Sequence, residues 1–468
     1  MAHNNACFSL NDPVIRPGSI GLKRFLTALL LVTVSASAFS GKLFLSGGGY
    51  DDKNTDLFVN GLRKATGKDA AFIPNITSIR NCNTDWAVTV CPRVAVVSSS
   101  KVDYATGLDA FTNDIVDVDG NLKRGYLNLF QTHGFTAQFI TTHVDNYTQH
   151  SFSGNAAGDA NIAILNQADV VWFTGGDQSK IARSWLLDTG NDSPLAATLR
   201  ARWNNGNGNI VIAGDSAGNH IINNTMHGGG VSYGYVYFGA NLQNKAITGW
   251  QQFGDTREGT TALRYFDNGV TMKGLGFMPA GLLSDTHFDA RSGRLGRLAA
   301  TLRHMSLTQG LGVDENTGVL VDTGASTAKV FGNGTLTVVD MAGASYNAGT
   351  TFLASGLRVS LLSQGDTYQY TSKTVTTAKA PITRPYYASY YDSADIFSSF
   401  ETSKSLTRLV DQTPLSNIGT APAPVYSTNP KYPLTAPAVK VKFTKDSQTK
   451  GFFSNGKYTV VKALVQIY

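Results

Sequence analysis

A chain of 468 residues with 42% hydrophobic and 15% charged residues carries ample material for a packed core, which excludes a disordered or low-complexity protein. The formal charge of +6 comes without a long Lys/Arg block or interleaved aromatic and basic residues, which excludes nucleic acid as a partner. The 48 glycines announce many tight turns.

The N-terminus reads as a targeting segment. Arg16, Lys23 and Arg24 precede the apolar run Phe25–Val34, and Ala36-Ser37-Ala38 fits a small-x-small cleavage site, so residues 1–38 are predicted to be a signal peptide and the mature protein to be secreted, extracellular or periplasmic. The apolar run is too short to span a bilayer, which takes ~20 residues. No later stretch reads as transmembrane, so no membrane partner is expected after cleavage. The long stretch before Lys23 points to a start codon further along. Removal of the segment takes three basic residues and one acid, leaving +4. It also leaves only Cys82 and Cys91, with eight residues between them; in an exported protein such a pair predicts a disulfide closing a small loop.

From Lys42 the pattern is α/β. Lys42–Leu45 reads as a strand ending in Gly47-Gly48-Gly49, and Asp56–Gly67 as a helix with Leu57, Phe58, Leu62 and Ala65 on one face. Asp69–Ile73 and Arg93–Ser98 are strand candidates. A helix over Arg124–His133, closed by Gly134, leads to a strand at Thr136–Ile140. Ala160–Asn166 is helical, and Asp169–Phe173 is a strand ending in Thr174-Gly175-Gly176-Asp177. Trp185–Trp203 is helical in part, and Ile210–Ala213 is a strand ending in Gly214. Alternating strands and helices predict a mostly parallel sheet flanked by helices, joined by right-handed crossovers. The strands are continuous apolar runs, as when both faces are covered, and chemistry in such sheets gathers at the carboxyl ends of the strands. Beyond Gly318 the texture changes: Thr327–Val339 and Leu357–Tyr370 alternate like antiparallel strands. Thr420–Ala438, with five prolines, reads as a linker or loose wrap, and Val439–Tyr468 as further strands. The expected organisation is a catalytic α/β domain over 39–373 and a β-rich C-terminal extension over 374–468, with no internal repeat.

Gly214-Asp215-Ser216-Ala217-Gly218 carries the strongest chemical signal. It follows an apolar strand and precedes a plausible helix at Asn219–Asn224, which is the context a nucleophile elbow requires. The strained turn presents the Ser216 hydroxyl at a helix N-terminus, and the Ala217 amide stands ready to donate to an oxyanion. Gly176, where backbone can approach a ligand closely, is read as a second oxyanion donor, and Gln178 as a polar substrate contact.

A serine needs an adjacent base, and seven histidines remain after position 38. His220 is read as packing or solvated beside the elbow, and His133, His143, His150, His227 and His304 as mostly surface residues. His287, in Asp285-Thr286-His287-Phe288, is the favoured base. Arg291, Arg294 and Arg297 follow it; they read either as one solvated helix face or as a cationic pocket for carboxylates. The acid that fixes the base's tautomer falls in Asp314-Glu315-Asn316, with the choice between Asp314 and Glu315 open. No metal or organic cofactor is expected, because Cys and His do not cluster with ligand spacing.

Five segments in this order, FTGGDQ (173–178), GDSAG (214–218), DTHF (285–288), RLGRL (294–298) and GVDENT (312–317), resemble the cyanophycinase and dipeptidase E family of serine peptidases over roughly residues 42–370. The resemblance implies a class I glutamine-amidotransferase-like fold, a homodimer, and a triad of Ser216, His287 and Glu315, choosing Glu315 over Asp314. It implies the polymer cyanophycin as substrate, a poly-aspartate backbone bearing arginine on each side chain, degraded from its end to β-Asp-Arg. It also implies a pocket of Gln178, Asp285, Arg291, Arg294 and Arg297, the arginines meeting aspartate carboxylates and the acid meeting guanidinium. Thr286 stands where the family has Gln, and Ser292 is inserted before Gly293. The stretch between Ser216 and His287 is longer than the family's, and the signal peptide points to an extracellular branch. Rival readings are a peptidase acting on aspartyl or β-aspartyl peptides, an esterase, whose acid should precede its histidine, and a non-catalytic polymer-binding protein.

Overall fold

The computed structural model describes residues 41–68, 82, 85–87, 89–116, 120, 122–205, 210–238, 270–349, 351–422 and 437–468. The predicted signal peptide, the strand expected at 69–73, most of the proline-rich stretch and much of the long segment between Ser216 and His287 lie outside them.

Five parallel strands form the frame: β1 (Lys42–Ser46), β2 (Arg93–Val97), β3 (Thr136–Ile140), β4 (Val170–Phe173) and β5 (Val211–Asp215). They are ordered β1-β5-β4-β2-β3, and β1 continues through an antiparallel set made of Thr317–Asp322, Thr327–Gly332, Thr367–Gln369 and Thr374–Thr376. In a strand, successive side chains point to opposite faces. Leu43, Leu45, Ala95, Val97, Val171, Phe173 and Ile212 accordingly pack into one core, and Phe44, Val94, Val96, Val170, Trp172, Val211 and Ala213 into another. Helices α1 (Gln178–Trp185), Pro194–Asn205 and α2 (Ala217–Ile222) help to cover the first face. The helical segment Asp56–Arg63 and the helix Tyr126–Thr132 help to cover the second. Burial on both sides explains the continuous apolar runs, and the expectation of a helix-flanked, parallel-containing sheet holds. Trp185–Trp203, expected to be helical in part, holds the end of α1 at Trp185 and a second helix from Pro194, whose fixed φ suits a first helical turn.

A second sheet carries the rest of the site. Its strands β6 (Leu282–Asp285) and β7 (Gln309–Val313) are parallel. Beyond β7 lie Thr335–Asp340, Ala354–Ser363, Lys457–Ile467, Val439–Thr444 and Ser416–Ala421 in antiparallel order. Helix α3 (Leu295–His304) and helix α4 (Glu401–Val410) pack into the core of this sheet. Residues from both sides of position 374 share that core: Leu357, Val359 and Leu361 with Val441, Val460, Ala463 and Val465. From Gly41 onward the described chain is one compact unit. The chain leaves the second sheet at Val313 and enters the first at Thr317, so Asp314-Glu315-Asn316 forms the bridge between the sheets. Cys82 and Cys91 are disulfide-bonded, with Cα atoms 5.4 Å apart. No helix among the described residues is long and apolar enough to cross a membrane.

Candidate active site

The carboxyl ends of β1, β2, β4, β5, β6 and β7 converge. Ser216 follows β5 at φ 51°, ψ −114°, a backbone conformation that non-glycine residues rarely adopt and that the surroundings must hold in place. The flanking glycines make the turn sterically feasible. A Cβ on Gly214 would lie 2.4 Å from the Gly218 backbone, and one on Gly218 would lie 1.8 Å from the Phe173 carbonyl oxygen.

The Ser216 hydroxyl donates to His287 Nε2 at 2.7 Å, and His287 Nδ1 donates to Glu315 Oε1 at 2.6 Å. His287 follows β6, also with a positive φ of 43°, and is 5% exposed. Burial lowers its pKa from the usual 6.5, and Arg294 and Arg291 add to that against the pull of Glu315. The ring is therefore neutral at neutral pH. With Nδ1–H on the carboxylate, Nε2 keeps the lone pair that accepts the serine proton. Glu315 is held ionised, its pKa brought to about 2 by the bond from His287 and, against partial burial, by Arg291. Asp314 faces the other way: its Oδ1 accepts from the amides of Asp289, Ala290 and Glu315. It thus ties the loop after His287 to the loop that carries Glu315. Burial raises its pKa to about 6.

The glycine run after β1 underlies the whole arrangement, a role its sequence did not disclose. The Gly47 carbonyl accepts from the His287 amide at 3.0 Å, and the Gly48 carbonyl from the Asn316 amide at 3.0 Å. A Cβ on Gly48 (φ +87°) would lie 2.4 Å from the His287 ring, and one on Gly49 (φ +54°) 2.6 Å from the Glu315 carboxyl. A buried polar network also went unseen: Ser284 Oγ donates to Asn219 Oδ1 at 2.6 Å, and Asn223 Oδ1 accepts from the Ser284 amide at 2.8 Å. It joins α2 to β6, and so the helix after Ser216 to the strand before His287.

Gly176, at φ +147°, is pressed against Ser100, whose carbonyl oxygen would lie 2.8 Å from an added Cβ. The neighbouring Gly175 amide donates to Asp215 Oδ1 at 3.1 Å, as does Trp172 Nε1. Burial raises the Asp215 carboxyl to about 7 against the pull of Lys101 and these donors. The Gly175-Gly176 turn lies against Ser216, since a Cβ on Gly175 would come 3.3 Å from Ser216 Cβ.

The expected substrate pocket is only partly open. Asp285 is fully buried and bound by Arg297 through two bonds, with Nε at 2.8 Å from Oδ2; His220 Nε2 (3.1 Å) and the Thr286 amide (2.8 Å) also donate to it. A buried carboxylate must be paired in this way. Asp285 and Arg297 consequently face each other, not a substrate guanidinium and carboxylate as expected. Gln178 is buried too, its Nε2 donating to the His227 carbonyl at 2.7 Å. Arg291, with 63% of its side chain exposed, bonds Glu315 at 2.6 Å, and Arg294, 17% exposed, reaches the Thr286 carbonyl. The three arginines do not share a helix face, because α3 begins only at Leu295.

Three histidines expected at the surface are buried: His133, His143 and His227. His220 packs, as read. Among the described residues, His220, His227 and Asp285 form the only cluster with metal-ligand proximity, ligand atoms lying within 4.8 Å of one another. Two guanidinium groups on the same carboxylate oppose a cation there.

No known protein-family model matches the chain. Among solved structures it is similar to a peptidase from an acI-B1 Actinobacterium, at 12% identity and a TM-score of 0.38, over 71% of this chain and 98% of that one. It is also similar to a protein of Listeria monocytogenes EGD-e described provisionally as a peptidase E, at 10% identity and a TM-score of 0.28, over 60% and 95% of the two chains. At these scores neither likeness bears on the chemistry.

Proposed function

We propose that the chain is a secreted serine peptidase that hydrolyses cyanophycin, or a closely related β-aspartyl peptide, through an acyl-enzyme. The observation that carries the hydrolase reading is the unbroken hydrogen-bond chain from Ser216 through His287 to Glu315, at 2.7 and 2.6 Å. His287 Nε2 takes the hydroxyl proton as Ser216 Oγ attacks the carbonyl carbon. The oxyanion meets the amides of Gly176 and Ala217, each such donor being worth about 10²–10³ in rate. His287 then gives the proton to the leaving amine, and water reverses the sequence at the ester.

The substrate assignment rests on the five sequence motifs. Arg294 and Arg291 are the cations left to meet carboxylates, while Asp285 and Arg297 would act from behind, holding Arg294 and the loop around Thr286. The acid follows the histidine in the chain, which favours a peptidase over an ordinary esterase. Export fits the disulfide, and a homodimer is the proposed assembly.

The test is incubation of the mature protein with cyanophycin granules and identification of soluble products by mass spectrometry, beside Ser216→Ala. Release of β-Asp-Arg by the wild type, reduced by about 10⁴-fold or more in the variant, is the expected result. Intact granules with a folded protein that nevertheless cleaves β-aspartyl dipeptides would select the related peptidase.

A further inference from the structure

The strand end at β2 contributes residues that the triad and the pocket leave without a role. After Val97 the chain reads Ser98-Ser99-Ser100-Lys101 and lies against the Gly175-Gly176 turn. Lys101 Nζ donates to the Gly175 carbonyl oxygen at 3.2 Å, and Ser100 Oγ donates to the same oxygen at 2.8 Å. That carbonyl belongs to the peptide group whose N–H is the Gly176 amide. In a trans peptide the two point in opposite directions, so the Lys101 side of the group is the far side from its N–H. The turn abuts the nucleophile, since a Cβ on Gly175 would lie 3.3 Å from Ser216 Cβ. On its other flank the Gly175 amide is fixed by Asp215 Oδ1 at 3.1 Å.

We propose that Lys101 is a positioning residue for oxyanion stabilisation, acting through the Gly175–Gly176 peptide. The inference rests on the serine-hydrolase reading above. A cation on the carbonyl pulls electron density through the amide and makes its N–H a stronger donor, the cooperative effect seen along hydrogen-bond chains. It also fixes the plane of the peptide, so that the donor is oriented before charge develops. Ser100 supplies a second, neutral donor to the same oxygen; only Lys101 supplies charge. Partial exposure of Lys101 allows its replacement without opening the core.

The test uses an alkyl fluorophosphonate, which phosphonylates a serine nucleophile: the Ser216 Oγ–P bond forms, the P–F bond breaks with loss of fluoride, the hydroxyl proton passes to His287, and the phosphoryl oxygen lies where the oxyanion would. The probe carries no carboxylate, so loss of a cation that merely binds substrate would not slow it. Wild type, Lys101→Met, Lys101→Arg and Ser216→Ala are compared for the maximal labelling rate and the half-saturating probe concentration, with thermal midpoints measured alongside. The expected result is a maximal rate about tenfold lower for Lys101→Met at unchanged half-saturation and midpoint, largely recovered in Lys101→Arg. A Lys101→Met rate within twofold of wild type, or an Arg variant no better than Met, overturns the proposal. A wild type that labels no faster than Ser216→Ala sinks the serine reading, and this inference with it.

Discussion

At the scale of single residues, neighbouring side chains of like type do unlike work. Glu315 is driven down to about 2 by the bond from His287, and Asp314 driven up to about 6 by burial. For Asp314 the folded value lies above the ordinary 3.8, so the folded state favours the protonated form. Its stabilisation is present below 3.8 and is lost as the pH rises through 6. Asp314→Asn keeps an Oδ1 acceptor for the three amides and removes the charge. Its stability should exceed that of wild type at pH 8, by at most about 3 kcal/mol, with the gap closing toward pH 4; urea unfolding at the two pH values reads this directly. His287 is shifted down by burial, with Arg294 and Arg291 assisting, and only its neutral form can act as base. Hydrolysis should therefore rise with pH through a value below 6.5 and stay level above it. Arg291→Gln should move that acid limb upward, though only slightly, since an exposed cation is well screened; pH–rate profiles of both proteins check it. The sequence made Ser216 and His287 legible because their chemistry is local: a strand, a strained turn and a helix start within a few letters. It left Asp314 against Glu315 open because adjacent letters do not reveal which carboxyl points at the ring and which at the backbone. The burial of Asp285 was hidden for a related reason. Its partners His220, Arg294 and Arg297 come from different elements, and a charged letter in a motif reads the same whether it faces substrate or core.

At the scale of elements, strand ends carried most of the foresight, and the parallel frame was readable from apolar runs of four or five residues. The turn after β1 was not, because glycine says only that something comes close and not what. Here the neighbours are the His287 imidazole and the Glu315 carboxyl. Gly48→Ala would put a methyl group 2.4 Å from the His287 ring, at a φ of +87°. A displacement of the base by even 1 Å costs about 10²-fold. The variant should fold, lose at least that much in maximal rate and retain its disulfide; steady-state kinetics together with circular dichroism separate those outcomes. The stretch Trp185–Trp203, expected to be helical in part, is helical from Pro194 onward, a start that the proline's position in the sequence marks. Its meaning depended on the Leu186–Asp192 bridge that turns the chain.

At the scale of the whole molecule, residues beyond 374, a β-rich C-terminal extension by sequence, share the core of the second sheet. Asp289, two residues after His287, accepts from the amides of Thr402 and Ser403 at 3.3 and 2.8 Å. It thereby caps α4, whose own N-cap residue, Phe400, makes no side-chain bond. The Phe400 amide returns a bond to the Asp289 carbonyl at 2.7 Å, and the Gly293 amide binds the Phe397 carbonyl at 2.9 Å. The loop from His287 to Gly293, which carries the exposed Arg291, is thus latched to α4, an arrangement that no sequence period could reveal across more than a hundred residues. Asp289→Ala should cost about 1–2 kcal/mol as a lost cap and should also slow hydrolysis, whereas Glu401→Ala, at the helix start but off the loop, should change the rate little. Chemical denaturation and kinetics on both variants decide whether the latch serves the site or only the fold. The pairing of Ala354–Ser363 with Lys457–Ile467 has a consequence in time. The later strand leaves the ribosome about a hundred residues after its partner, yet it lies between two earlier strands in the sheet that presents the base. Until it arrives, that sheet has a gap where a strand belongs, so the surroundings of His287 are complete only after residues 457–467 have emerged.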